Sequence, residues 1–260
     1  MVQPSRLMAK DLFVSFGKTP VLKELFVTIP DGQLTVIVGP NACGKSTLLR
    51  SLARLQSVHK GQVILDGKAI HAQNSRSVAR RLAILPQMPT APEGLSVRDL
   101  VTRGRTPHQS ALRQWSKADA HAVDQALELT GMTHNASRPL NALSGGQRQR
   151  AWIAMALAQE TDILLLDEPT TYLDLPHQIE LLTLVQRLNR ETGHTVAMVL
   201  HDINLASRFA DHIIALKDGR VRRSGTPAEV ITETTMDQVF ALPCSVIADP
   251  VHGTPHVIPS

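Results

Sequence analysis

Cysteine is almost missing from this 260-residue chain: Cys43 and Cys244 are its only two, too few for a disulfide framework. Aromatic residues make up 3% of it, which leaves the core to aliphatic side chains and removes the stacking platforms that single-stranded nucleic acids use. No run approaches the roughly 18 apolar residues that a membrane-crossing helix needs. The N-terminus lacks the basic-then-apolar pattern of a secretory signal, because Lys10, Asp11 and Gly17 interrupt it. Charge of one sign is not in excess either: 27 Lys and Arg against 23 Asp and Glu leave +4, a weak field for any anionic partner. Together these absences exclude a disulfide scaffold and a membrane span, and they lend a nucleic-acid binder no support. They predict a cytoplasmic protein that, if it works at a membrane, is held there by a partner.

What is present is ordinary for a soluble globular chain, 43% hydrophobic and 19% charged. Apolar runs at Leu34–Val38, Ile163–Leu166, 195–200 and 213–216 read as strands buried on both faces. Helical stretches at 45–55 and 176–190 alternate with them, which argues a parallel α/β sheet. Residues 1–33, with a Pro30-Asp31-Gly32 turn, suggest a small antiparallel sheet, and Asp66-Gly67 reads as the turn of a hairpin beside it. Between 89 and 160 strand patterns stop and helical periods dominate, with Ser116 and Asp119 forming a capping-box start and Gly131 a helix stop. Two short helices and an extended tail are expected after Gly225. The densest basic stretch, Arg98, Arg103, Arg105 and Arg113, reads first as a solvated face and second as a docking surface. Trp115 and Trp152 read as packing residues.

Three motifs carry chemistry. Gly39-Pro40-Asn41-Ala42-Cys43-Gly44-Lys45-Ser46 has P-loop spacing and lies between a strand and a helix. There the glycines let backbone N–H groups face phosphate oxygens, Lys45 adds charge, and Ser46 offers a hydroxyl to Mg²⁺. Ile163–Leu166 then ends in Asp167 and Glu168, carboxylates suited to hold a metal's water shell and to polarise an attacking water. Third, Leu143-Ser144-Gly145-Gly146-Gln147 opens a helix over 148–159, a second helix start fit for an anion.

Together these motifs resemble those of ABC ATPases, and the likeness runs along nearly the whole chain in the family's order. It implies an α/β P-loop NTPase (RecA-like) core with an N-terminal antiparallel β subdomain and an inserted α-helical signature subdomain. The core would take 1–88 and 161–235, the helical insertion 89–160 and the tail 236–260. By the same resemblance Gln87 is the Q-loop glutamine, which senses the γ-phosphate and metal, and Asp174 is the D-loop aspartate. His201 is the switch histidine, Phe16 the aromatic that stacks on adenine, and Thr47 belongs to the phosphate cradle. ATP and Mg²⁺ are the implied cofactors, with Ser46, Gln87 and Asp167 toward the metal and Lys45, Glu168 and His201 catalytic. Implied partners are a second copy paired head to tail, integral membrane permease subunits and, indirectly, a periplasmic or surface substrate-binding protein. Its place would be the cytoplasmic side of the inner membrane.

Within the family, Thr102-Arg103-Gly104-Arg105-Thr106-Pro107-His108 resembles a stretch of iron-siderophore and haem importers. Thr170-Thr171-Tyr172-Leu173-Asp174 followed by His177-Gln178, and the tail around Asp249-Pro250 and Gly253-Thr254-Pro255, look most like the iron(III)-siderophore branch. Haem or cobalamin import, or a non-transport ABC ATPase of DNA repair or translation, stay open as alternatives. Two positions depart from the pattern. Ala42 stands where the family usually has glycine or a similar small residue. Cys43, near a helix N-terminus, is expected to have a lowered thiol pKa and to make the enzyme sensitive to thiol reagents until ATP protects it.

Overall fold

A computed structural model describes residues 5–109 and 115–260. In chain order its elements are β1 (Leu7–Phe16), β2 (Thr19–Ile29), β3 (Leu34–Val38), α1 (Lys45–Leu52), β4 (Lys60–Leu65), β5 (Lys68–Ala69), α2 (Ser75–Ala79), β6 (Leu82–Leu85), α3 (Val97–Arg103) and α4 (Lys117–Leu129). There follow α5 (Gly145–Ala158), β7 (Ile163–Leu166), α6 (Leu175–Thr192), β8 (Thr195–Val199), α7 (Ile203–Phe209), β9 (His212–Lys217), β10 (Arg220–Gly225), α8 (Pro227–Val230), α9 (Glu233–Thr235), β11 (Cys244–Ala248) and β12 (Pro255–Pro259). The chain divides into two compact units, residues 1–73 with 189–260, and residues 74–188. Among the described residues no helix is long and apolar enough to cross a membrane.

In the first unit β1 pairs antiparallel with β2 and β4, as the N-terminal pattern predicts, and β4 turns into β5 through Asp66 and Gly67, both at positive φ. A second sheet places β3 parallel to both β8 and β9, with β10 antiparallel on β9. Every residue of β3 and β8 is buried, which is why their sequences are continuous apolar runs and not alternating ones. Helix α1 packs against β1, β2 and β8. It ends at Leu52, short of the expected 55, because Arg54 turns into the left-handed region at φ 63°. The tail is not simply extended. Strands β11 and β12 form a hairpin, and Asn204 of α7 holds it by donating to Val257 O (3.1 Å) and accepting from Val257 N (2.8 Å).

In the second unit β6 and β7 run parallel, and α3, α4 and α5 pack on one another, with α5 also against β6. Helix α4 starts with the capping box of Ser116 and Asp119 and stops before Gly131 at φ 68°. Helix α5 begins at Gly145, three residues before the expected start. Ser144 Oγ accepts from Gln147 N and Gln147 Oε1 accepts from Ser144 N, each at 3.2 Å, so the motif itself is a capping box. Helix α6 covers Leu175–Thr192, slightly longer than expected. No ladder strand lies between 89 and 160 among the described residues; Ser96 and Pro139 form an isolated bridge.

Candidate active site

The P-loop is glycine where the fold leaves no room for a side chain. A Cβ on Gly39 (φ 154°) would lie 2.3 Å from Leu216 O, and one on Gly44 (φ 106°) would lie 2.7 Å from Leu22 Cδ2. Gly44 is the N-cap of α1 and supplies no side-chain bond, so the first N–H groups of the helix are left for an anion. Lys45 opens α1 with only 4% exposure, and its ammonium donates to Gly39 O at 2.8 Å and Pro40 O at 2.9 Å. Ser46 and Thr47 follow, half-buried, while Asn41 and Ala42 are exposed at the loop's tip. Ala42 has φ 61°, a left-handed conformation that costs an L-residue about 1–2 kcal/mol and explains the family's usual glycine.

Cys43 corrects an expectation. It is buried, and burial pushes its thiol up from the usual range, with the Lys45 ammonium offsetting only part of the rise. Helix-terminus proximity does not win here, because desolvating a thiolate costs more than the partial charge returns.

His201 sits one residue beyond Leu200, whose N–H donates to Ile37 O, so it leaves β8 at the same end at which Gly39 leaves β3. It is exposed, and Asp202 beside it caps α7 by accepting from Leu205 N at 2.8 Å. Phe16 is 53% exposed at the last position of β1. It is thus not a packed sheet residue, and its ring is open to a ligand.

In the second unit the parallel register pairs Leu85 with Leu166, so Gln87 and the Asp167-Glu168 pair leave their strands at one edge. Asp167 N continues the ladder to Leu85 O at 2.9 Å, and its side chain is buried. Glu168 stands in the left-handed region at φ 52°, the kind of local strain that gathers at functional positions. Its Oε2 accepts from Gln87 Nε2 at 2.5 Å and from Thr171 Oγ1 at 3.2 Å. Two sequence-predicted residues from 81 positions apart are thereby brought together.

The signature glycines rest on the D-loop segment. An added Cβ on Gly145 would lie 3.6 Å from Leu173 Cδ2, and one on Gly146 only 3.0 Å from His177 Cδ2. His177 Nδ1 in turn bonds the carboxylate of Asp174, which lowers that carboxyl's pKa. Asp174 O also accepts from Gln178 N in the first turn of α6.

Sequence reasoning named His177 and Arg105 but missed what each does. His177 stood only in a stretch that resembles the siderophore branch, and its bond to Asp174, three residues earlier, is seen in the structure. Arg105 read as part of a basic face, and that reading is overturned. Its guanidinium is 3% exposed, donating from Nε to Asp119 Oδ1 (2.9 Å) and from Nη1 to Ala158 O (2.7 Å) and Glu160 Oε2 (2.6 Å). The Ser116 hydroxyl, and then Arg105, hold the Asp119 carboxyl down at about 2 despite its burial. Arg98 and Arg103 are exposed, Arg98 pairing with Asp124, and Arg113 lies outside the described residues. Trp152 is buried as expected, whereas Trp115 is 46% exposed and not a packing residue.

Residues 22–171 match the family model for the ABC transporter. The chain is 54% identical over 255 residues to a probable siderophore transport system ATP-binding protein, YusV, of Bacillus subtilis (strain 168), covering 98% of this chain and 93% of that one. It is 52% identical over 255 residues to the ferric enterobactin transport ATP-binding protein FepC of Escherichia coli (strain K12), covering 98% and 94%. The structure of the ATP-binding cassette MJ0796, a dimer in a post-hydrolysis state bound to ADP and Pi, superposes with a TM-score of 0.73 at 29% identity, over 85% of this chain and 98% of that one. The chain belongs to the ABC transporter family. It is an ATP-binding subunit of that class and an ATPase.

Proposed function

We propose that this chain powers import of an iron(III)-siderophore complex through a separate membrane permease, acting as a head-to-tail dimer on the cytoplasmic side of the inner membrane. The observation that carries the catalytic part is the Glu168 carboxylate, fixed by Gln87 at the exit of β7 immediately after a buried Asp167. A carboxylate so held can take the proton of a water attacking the γ-phosphate.

The remaining roles follow from each group's chemistry. Backbone N–H groups from Asn41 to Thr47 cradle the phosphates, and Lys45 exchanges its loop carbonyls for phosphate oxygens. His201 bonds the γ-phosphate, and Phe16 stacks on adenine. Ser46, Gln87 and Asp167 each offer a hard oxygen donor of the kind Mg²⁺ takes, and Mg²⁺ when bound supplies charge neutralisation at the phosphates. Ser144, Gly145, Gly146 and Gln147, on the subdomain of residues 89–160, close over the nucleotide of the second copy, with Asp174 beside them. Binding energy thus becomes subunit closure. The permease and, through it, a substrate-binding protein are the other partners; a nucleic-acid role has no support in a chain this poor in aromatics.

The test is uptake of labelled ferric siderophore, haem and cobalamin in cells lacking this chain, restored with wild type or Glu168→Gln. Loss of ferric-siderophore uptake alone, rescued by wild type only, is the expected result. The variant should bind ATP and hydrolyse it about 10²–10⁴-fold more slowly. Wild-type turnover in the variant would refute the base, and unaffected siderophore uptake would refute the cargo.

A further inference from the structure

We propose that His177 is a positioning residue that locks the signature loop to the D-loop, so that both are offered to the second subunit as one rigid surface. The inference rests on the head-to-tail reading above. His177 lies in the first turn of α6, three residues after Asp174, and its imidazole does two things at once. Nδ1 bonds the Asp174 carboxylate, and the Cγ–Cδ2 edge of the ring lies against Gly146, where an added Cβ would meet Cδ2 at 3.0 Å and Cγ at 3.5 Å. Leu173 packs against Gly145 in the same way. Glycines have no side chains with which to brace themselves, so a loop built from Gly145 and Gly146 takes its position from what it leans on. Here it leans on the segment 172–177. A carboxylate only accepts, so Nδ1 donates this bond and carries the hydrogen.

His177 is 48% exposed, so the core does not need it. Its substitution should leave the melting temperature and single-subunit binding of a fluorescent ADP analogue unchanged. In the Glu168→Gln chain, size-exclusion chromatography across an ATP series should show His177→Ala needing about tenfold more ATP for half-maximal pairing. His177→Asn, whose amide nitrogen can stand where Nδ1 stands, should recover most of that loss, and His177→Gln should not. Pairing of His177→Ala at the parent's ATP concentration overturns the inference. If the Glu168→Gln parent itself stays single, pairing needs the membrane partner, and amide hydrogen exchange of the single subunit decides the positioning role. His177→Ala should speed exchange at both 144–147 and 171–174, and unchanged exchange there overturns it.

Discussion

Replacing Arg105 with Met keeps an unbranched stem in the buried slot but removes the guanidinium that Asp119, Ala158 O and Glu160 share. Asp119 is 1% exposed, so its carboxylate would be left with only its Ser116 capping contacts in a place water does not reach. Breaking a buried ion pair from one side costs about 3–5 kcal/mol, a large share of a typical total of about 5–15. At this chain length each kcal/mol moves the melting point by about 2 °C, so Arg105→Met should melt about 6–10 °C lower. Arg103→Met, two residues away but exposed, should stay within about 1 °C. Adding Asp119→Leu to Arg105→Met removes the stranded charge and should recover all but about 1 kcal/mol, the worth of the lost capping box. Thermal unfolding by circular dichroism of the four proteins is the assay. Equal melting of the Arg103 and Arg105 variants, or no recovery in the double variant, would refute the argument.

Asp119, held by the Ser116 hydroxyl and then by Arg105, also sets an acid limit. The folded carboxyl of Asp119 titrates at about 2, below its usual 3.8. Its stabilisation is complete above the higher value and is lost as pH falls toward the lower one, about 2 kcal/mol in all. That loss should disappear in the double variant, which has no Asp119 to protonate.

Two further outcomes concern Cys43 and Phe16. Cys43 should react slowly with a maleimide at neutral pH and faster as pH rises, because burial raises its pKa; rapid labelling at pH 7 that is as fast as a free thiol would contradict this. Phe16→Ala should weaken ATP binding about tenfold without changing the melting point, since a stacked base is worth about 1–3 kcal/mol and the ring is exposed; isothermal titration would register either outcome.

The placement of the motifs was legible in the sequence because each is punctuated. Buried parallel strands read as apolar runs, and the residue after each run is the one that the strand's end presents: Gly39 after β3, Asp167 after β7, His201 just past β8. Helix boundaries were legible only to a few residues. The start of α5 was placed three residues late: Ser144 is itself the N-cap, and the Gln147 side chain reaches back to Ser144 N. Long-range pairings left no trace in local pattern. Nothing near Arg105 distinguishes it from Arg103, and burial of one and exposure of the other follow from where Asp119 and the end of α5 come to lie.

Two of the stretches that carry the resemblance to the siderophore branch, 102–108 and 173–177, meet the ends of α5. Gly104 allows a backbone approach so close that a Cβ would stand 2.2 Å from Met155 O of α5. Arg105 donates to Ala158 O, and His108 Nε2 donates to Gln159 O at 2.8 Å, so three residues of the 102–108 stretch grip the last turn of the signature helix. His177 supports that helix's first turn at Gly146. A helix of 14 residues is about 21 Å long, so a tilt of about 5° at the gripped end would move the signature loop by about 2 Å. Likeness at these positions is therefore likeness in how the signature loop is held. Because these groups act on how α5 is held, exchanging the 102–108 stretch for that of a cobalamin importer should alter the ATP dependence of the motor and leave the choice of chelate to the permease.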